Sequence, residues 1–235
     1  MLRYSVFLCA LLILLAERAS ATWSVIVIDA KTREIGIAGA SCTYSVYGIG
    51  SIAPGKGALV VQAMSNNKAR RKGLQMIMAD ATPEQILEAL KDPQFDPEAQ
   101  QYGMVCLYAM DQPKTYTGSK TNLDRGALTT TGISIQGNTL NNKEMLGKIM
   151  KAALKAQEKG LPIQEVLMLA LEAGAEYGGD NRCGTRKAMS AFLTVAKPND
   201  DPVNPYLNLI YNQSDDTTNA ISALREKYNF WKNNR

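Results

Sequence analysis

Residues 19–29 read Ala-Ser-Ala-Thr-Trp-Ser-Val-Ile-Val-Ile-Asp. From Trp23 onward the stretch is apolar and rich in β-branched residues, which predicts a buried β-strand. Immediately before it, Ala19 and Ala21 place small residues at the two positions that a signal peptidase reads. Cleavage after Ala21 would leave Thr22 as the first residue of the mature chain, at the head of that strand.

An N-terminal threonine carries a hydroxyl nucleophile and an amine base on one residue, which is a known way to activate a weak nucleophile. The ordinary pKa of an α-amine is about 7.7–8.0, so part of the amine is neutral and accepts a proton near pH 7. Export and activation of the enzyme would then be one event.

Residues 1–21 have the composition of a signal peptide. Arg3 supplies the charge, and residues 6–16 form an apolar run that is too short to cross a bilayer. Glu17 and Arg18 end this run early, which disfavours the alternative of a membrane anchor. We therefore expect a secreted or periplasmic protein.

The mature chain, residues 22–235, is long enough for one large domain. Removal of Arg3, Arg18 and Glu17 lowers its net charge from +4 to +3. The basic residues are scattered except in the cluster 68–72, which falls in a predicted helix and is typical of a solvated face. We therefore expect no nucleic-acid partner, and no membrane contact after cleavage.

The chain has no histidine, which excludes histidine-based triads and most zinc sites, and we expect no cofactor and no metal. Three cysteines follow the cleavage site: Cys42, Cys106 and Cys183. In an oxidising compartment two of them would form a disulfide, but no local spacing favours a particular pair.

The order of predicted elements is strands, helices, strands, two long helices, strands and a last helix. A capping box at Thr82-Pro83-Glu84-Gln85 opens one of the helices. The predicted strands span 23–29, 35–40, 59–63, 102–110, 115–117, 131–136, 190–195 and 206–211. The other predicted helices span 67–79, 145–154, 163–171 and 220–231. No repeat or linker divides the chain, and this pattern predicts sheets stacked between helical layers in a single domain.

Five motifs carry a resemblance to the bacterial family called domain of unknown function 1028. They are TWSVIVID at 22–29, GIAGASC at 36–42, PGKGA at 54–58 with Gln62-Ala63, QGNTL at 136–140 and GGDNR at 178–182. The likeness covers residues 22–195, and residues 196–235 resemble the extension of secreted members. The resemblance implies the N-terminal-nucleophile (Ntn) hydrolase superfamily. Its fold is α+β, a four-layer αββα sandwich of two antiparallel sheets.

The implied mechanism is hydrolysis of an amide or peptide bond by Thr22. Asn138 would stabilise the oxyanion with help from the Gly137 amide, and Asp180 would hold the α-ammonium. The alternatives left open are that Asn138 is only a turn residue and that Asp180 only braces its loop through Arg182.

Three further residues are expected to bind or orient the substrate: Ser41, Gln62 and Arg182. Arg182 would clamp a substrate carboxylate, which suggests an anionic small molecule or peptide. Lys56 lies near the spacing at which proteasome-like enzymes place a pKa-lowering lysine, although its Pro-Gly-Lys-Gly context is typical of an exposed turn.

Two other functions remain open. One is a binding or structural protein that keeps the fold without the chemistry. The other is a thiol enzyme that uses Cys42 or Cys183. The outer helices would offer a surface for a homodimer.

Overall fold

The strand predicted from the opening stretch lies inside the larger of two β-sheets. A computed structural model describes residues 22–212 and 217–235, so the predicted signal peptide lies outside the described residues. The strands are β1 Thr22–Ile28, β2 Ile35–Ser41, β3 Gly50–Ala53, β4 Gly57–Ala63, β5 Gln100–Cys106, β6 Lys114–Thr117, β7 Gly126–Thr130, β8 Ile133–Asn138, β9 Ser190–Ala196 and β10 Leu207–Tyr211. The α-helices are α1 Asn67–Met78, α2 Pro83–Leu90, α3 Met145–Glu158, α4 Ile163–Glu176 and α5 Ala220–Asn233.

Both sheets are antiparallel. The six-stranded sheet has the order β10-β9-β2-β1-β8-β7, and the four-stranded sheet has the order β3-β4-β5-β6. Helices α3, α4 and α5 pack on the outer face of the six-stranded sheet. Helices α1 and α2 pack on the outer face of the four-stranded sheet. The predicted α+β fold with two antiparallel sheets between helical layers is confirmed.

Strand β1 is buried on both faces, which explains why its sequence is an apolar run rather than an alternating one. Trp23, Val25 and Val27 face α3 and α4. Ile26 and Ile28 face the opposite way, into the layer between the two sheets. Because side chains alternate along a strand, Thr22 and Ser24 also face this interlayer.

Most predicted elements are confirmed within a few residues, including the capping box, where the Thr82 hydroxyl accepts from the Gln85 amide. Two strands were missed. β3 has four residues, and β7 is a largely exposed edge strand without an apolar alternation. The strand predicted for 102–110 ends at Cys106, and residues 107–109 form a 3₁₀ turn.

Within the two described ranges, none of the helices combines the length and the apolar character that a bilayer crossing requires. The segment after residue 195 adds β10 to the edge of the larger sheet and packs α5 against α4, β9 and β10.

Candidate active site at the polar end of the interlayer

Three adjacent strand ends bring predicted site residues together. Thr22 at the start of β1 is paired with Ser41 at the end of β2 and with Asn138 at the end of β8. The Thr22 Oγ1 donates to Ser41 Oγ over 3.2 Å, and all three side chains are buried. The predicted cluster of Thr22, Ser41 and Asn138 is therefore a single constellation in space, assembled by the register of the central strands.

A network of buried polar side chains lies next to these three residues, in the layer between the two sheets. Ser24 Oγ donates to Gln62 Oε1 over 2.6 Å and accepts from Gln136 Nε2 over 2.6 Å, which links the two sheets. Gly103 makes room for this link, because a Cβ atom there would lie 2.1 Å from Gln136 Oε1. Hydrogen bonds among fully buried amides and hydroxyls fix side-chain positions, since leaving any of them unpaired is unfavourable.

Gln62 belongs to this network. Its Nε2 donates to the Thr22 carbonyl over 3.3 Å and to Gln101 Oε1 over 2.7 Å, and its side chain is fully buried. The sequence suggested a hydrogen bond from Gln62 to the substrate. In the structure Gln62 instead holds the backbone of Thr22.

Gln101 is the hub of the network, and sequence reasoning missed it. Its Nε2 lies within hydrogen-bond distance of three oxygens, the Thr117 hydroxyl and the carbonyls of Gly126 and Gly137, which share its two hydrogens. Its Oε1 must therefore be the acceptor that faces Gln62 and Asn138. This arrangement determines the orientation of the Asn138 amide as well, because only Nδ2 can donate to Gln101 Oε1, over 3.2 Å.

The Asn138 Oδ1 atom is buried and has no hydrogen-bond partner among the described residues. It belongs to the residue directly opposite Thr22 in the register of β1 and β8. An unpaired buried acceptor is uncommon in proteins and calls for an explanation. The next residue, Thr139, has a positive φ of 53°, so the backbone is strained just beyond the site.

Asp180 and Arg182 lie beside this constellation and bind each other. Asp180 Oδ2 accepts from the Cys42 amide over 2.6 Å and from Arg182 Nη2 over 2.8 Å. Asp180 Oδ1 accepts from the Arg182 amide and Nε. The pair braces the loop 181–186 against the end of β2, which is the structural alternative left open for these residues.

A disulfide between Cys42 and Cys183 also links the loop 181–186 to the end of β2. Neither sulfur is a free thiol in this structure, so the structure gives no support to the thiol-enzyme alternative. The third cysteine among the described residues, Cys106, is buried on β5, and burial raises the pKa of its thiol to about 11.

Lys56 lies at the opposite end of β4 from Gln62. Its ammonium binds the Asp80 carboxylate at 2.8 Å, and both side chains are substantially exposed. The exposed-turn interpretation of Lys56 fits this position, and the structure does not bring Lys56 to the strand ends that carry Thr22 and Asn138.

A cavity of about 460 Å³ opens onto Thr22. Its walls come from the loop after β2, the end of β4 and the first turns of α1, and they include Ala63, Ser65, Asn67 and Arg70. Ala63 and Ser65 have positive φ angles of 70° and 51°, a conformation that side chains other than glycine adopt rarely. Arg70 was assigned to a solvated basic face on sequence, and its place in this cavity was missed.

Within residues 22–212 and 217–235 there is no group of three or more cysteine, aspartate or glutamate side chains placed to hold a metal ion. The side chains described at this site supply hydroxyls, amides and the Arg70 guanidinium.

Comparison with known proteins places the chain among relatives of unknown function. A family model described as "Family of unknown function (DUF1028)" matches residues 22–224. The crystal structure of protein SPO2555 from Silicibacter pomeroyi, described with the same family name, is similar to this chain with a TM-score of 0.75 at 23% sequence identity. The similarity covers 89% of this chain and 85% of that one, and it shows a shared fold. No curated protein matches the sequence.

Proposed function

We propose that this chain, which belongs to the DUF1028 family of unknown function, is a secreted or periplasmic amide or peptide-bond hydrolase with Thr22 as its nucleophile. The observation that carries the proposal is the position of Thr22. Its hydroxyl stands at the head of a central strand and beside a cavity, and the buried acceptor Asn138 Oδ1 belongs to the residue opposite. The arrangement of two antiparallel sheets between helical layers supports the expected Ntn-hydrolase superfamily.

The proposed reaction begins once residues 1–21 are removed and Thr22 carries a free α-amine. The amine takes the proton from Oγ1, and Oγ1 attacks the carbonyl carbon of the amide. The tetrahedral intermediate collapses with transfer of the proton to the leaving nitrogen, which departs as an amine. Water, deprotonated by the same α-amine, then hydrolyses the acyl ester and regenerates Thr22.

Asn138 would serve this reaction with both ends of its amide. Once Thr22 carries a free α-amine, that amine would donate a hydrogen bond to the Oδ1 of Asn138 and give this buried acceptor the partner that it lacks among the described residues. Its Nδ2 carries two hydrogens, of which one is used by Gln101. The other is available to the oxyanion, the role predicted for Asn138 from sequence.

Ser41 would hold the Thr22 hydroxyl in place, and Gln62 would hold the Thr22 carbonyl. Before proton transfer the Thr22 hydroxyl hydrogen turns from Ser41 Oγ to the α-amine, and the Ser41 hydroxyl can then donate to Thr22 Oγ1. Asp180 would act indirectly. Its carboxylate accepts a hydrogen bond from the amide of Cys42, and this bond would hold the neighbouring Ser41 in position.

The test compares exported wild-type protein with Thr22→Ala and Thr22→Ser variants. A β-lactone probe should acylate wild type and Thr22→Ser and leave Thr22→Ala unlabelled, as measured by intact mass. Circular dichroism checks that all three are folded. Equal labelling of Thr22→Ala and wild type would contradict the proposal, because the probe would then react with a group other than Thr22. Absence of labelling in all three proteins would favour a binding protein on the same fold.

A further inference from the structure

Arg70 has an unusual environment for a surface arginine. It lies in α1, and its Nη2 donates to Asn67 Oδ1 over 2.6 Å. Its Nη1 is buried and has no hydrogen-bond partner among the described residues. A guanidinium nitrogen in this position is unfavourable unless a ligand or water supplies an acceptor.

No countercharge faces this guanidinium from the cavity walls. None of the described residues that line the cavity is an aspartate or a glutamate. The neighbouring side chains Lys68, Arg71 and Lys72 on α1 are also basic, and the first turn of α1 has no acidic residue. The cavity beside Thr22 is therefore positively charged.

Unlike Arg70, Arg182 has a countercharge, although the sequence predicts that Arg182 binds an anion. Its guanidinium makes an ion pair with the buried Asp180 carboxylate at 2.8 Å, so its charge is already balanced. Arg70 makes no ion pair with any of the described residues, and it shares a cavity with the Thr22 side chain.

We propose that Arg70 is the anion-binding residue of this cavity and that the amide cleaved at Thr22 belongs to a small molecule or peptide bearing a carboxylate. The cleavage of the amide rests on the proposed function, whereas the binding of an anion by Arg70 does not depend on it. The two hydrogens of Nη1 and the second hydrogen of Nη2 suit a carboxylate with two parallel hydrogen bonds. A volume of about 460 Å³ fits a small ligand with both an amide and a carboxylate.

The position on α1 adds to this preference. Asn67 is the first residue of the helix and lines the same cavity, so the positive end of the helix dipole lies near the expected anion. Burial lowers the pKa of the Arg70 guanidinium, and the adjacent Arg71 lowers it further, yet an arginine stays charged at neutral pH.

The test uses mature Thr22→Ala protein, which cannot turn over the ligand, and the matched pair N-acetylglycine and N-acetylglycinamide. These probes differ only at one end, where the first has a carboxylate and the second a neutral carboxamide of similar size. Isothermal titration should show that N-acetylglycine binds at least about tenfold more tightly than the neutral amide, as expected for a charge-assisted pair. A second substitution, Arg70→Gln, should bring the two affinities together, and Arg70→Lys should restore only part of the difference.

Arg71→Gln is the matched control, because it removes the same charge from an exposed neighbour on the same helix. It should leave the preference for N-acetylglycine within about twofold, since screening by salt weakens exposed charges. Equal binding of both probes, absence of binding, or an equal effect of Arg71→Gln would each overturn the inference. If β-lactone labelling fails while this preference persists, the hydrolase proposal fails and the anion site stands.

Discussion

The layer between the two sheets has two ends with opposite chemistry, although the same strands build both. At one end Ile26, Ile37, Val60 and Phe192 pack into an apolar cluster. At the other end the same faces of the strands carry Thr22 and a network of buried amides and hydroxyls. Along β1, the side chains that face this layer change from polar to apolar within two residues, between Ser24 and Ile26.

This difference separates two tasks of the fold. The apolar end stabilises the sandwich by burial, which has no directional requirement. The polar end is directional, because each hydrogen bond fixes the position of a group near Thr22. Within the interlayer, it is also the end where two buried atoms have no hydrogen-bond partner among the described residues, Asn138 Oδ1 and the Oγ of Ser190, which pairs with Ser41. Buried polar atoms without a hydrogen-bond partner are more typical of functional sites than of residues that only stabilise the fold.

The largest expected effect on stability comes from Ile26→Ala at the apolar end. It leaves a cavity between the sheets and should lower the free energy of unfolding by about 2–5 kcal/mol. The labelling rate of Thr22 per folded molecule should not change, because the polar network is untouched. Denaturant unfolding and β-lactone labelling measure the two quantities, and a labelling defect equal to that of a network variant would remove the distinction between the ends.

Ser24→Ala tests the polar end on the same face of the same strand, two residues away. Gln62 Oε1 loses its hydrogen-bond donor and Gln136 Nε2 loses its short bond, which should lower the free energy of unfolding by about 1–3 kcal/mol. Unlike Ile26→Ala, this change should slow the labelling of Thr22, because Gln62 also holds the Thr22 carbonyl. An unchanged labelling rate would show that the network serves stability alone.

Asn138→Ala should affect stability less than Ser24→Ala does. It removes an acceptor that is already unpaired, and Gln101 Oε1 keeps its bond from Gln62. Thr22 labelling should nevertheless fall, because both proposed roles of the Asn138 amide are lost. A large drop in melting temperature with unchanged labelling would instead assign Asn138 to the turn after β8.

The smallest effect is a pH dependence outside the network. Hydrogen bonds from Ser119 and Tyr116 lower the pKa of Glu98 to about 2 from its ordinary value of 4.5. The stabilisation from Glu98 is therefore complete above pH 4.5 and is lost as the pH falls through about 2.

We expect Glu98→Gln to destabilise the protein slightly at pH 7 and by less at pH 2.5, where part of the stabilisation from Glu98 is already lost. The effect of Ser24→Ala should stay constant over this range, because amides and hydroxyls do not titrate there. Urea unfolding of both variants at pH 7 and pH 2.5 makes the comparison. A pH-dependent Ser24→Ala effect would mean that the network includes a carboxylate.

Sequence patterns predicted much of the fold because buried strands and amphipathic helices are encoded locally. The run in β1 and the periodic residues of α3 and α4 are examples. The edge strand β7 carries no such pattern, because its side chains are not packed into a core and need not be apolar. The pairing of Cys42 with Cys183 depends on a contact across 141 residues, which no local spacing encodes.

For the candidate site, sequence reasoning placed Thr22, Ser41 and Asn138 in one constellation, and strand register brings them together. It did not find Gln101, because a glutamine in a strand gives no sign of which face it occupies. It also interpreted Arg70 as solvated, since a cluster of basic residues does not reveal which member turns toward a cavity. Gln101 makes its contacts between the two sheets, and Arg70 on α1 lines the cavity beside Thr22. Only the three-dimensional packing defines either position.

The most direct test of the proposed activation is the N-terminal residue of the exported protein. Intact mass and terminal sequencing of protein secreted by a bacterial host should give a chain that begins at Thr22 with a free amine. A chain that begins at any other residue, or a Thr22 whose amine is blocked, would separate the nucleophile from its base and contradict the proposed mechanism.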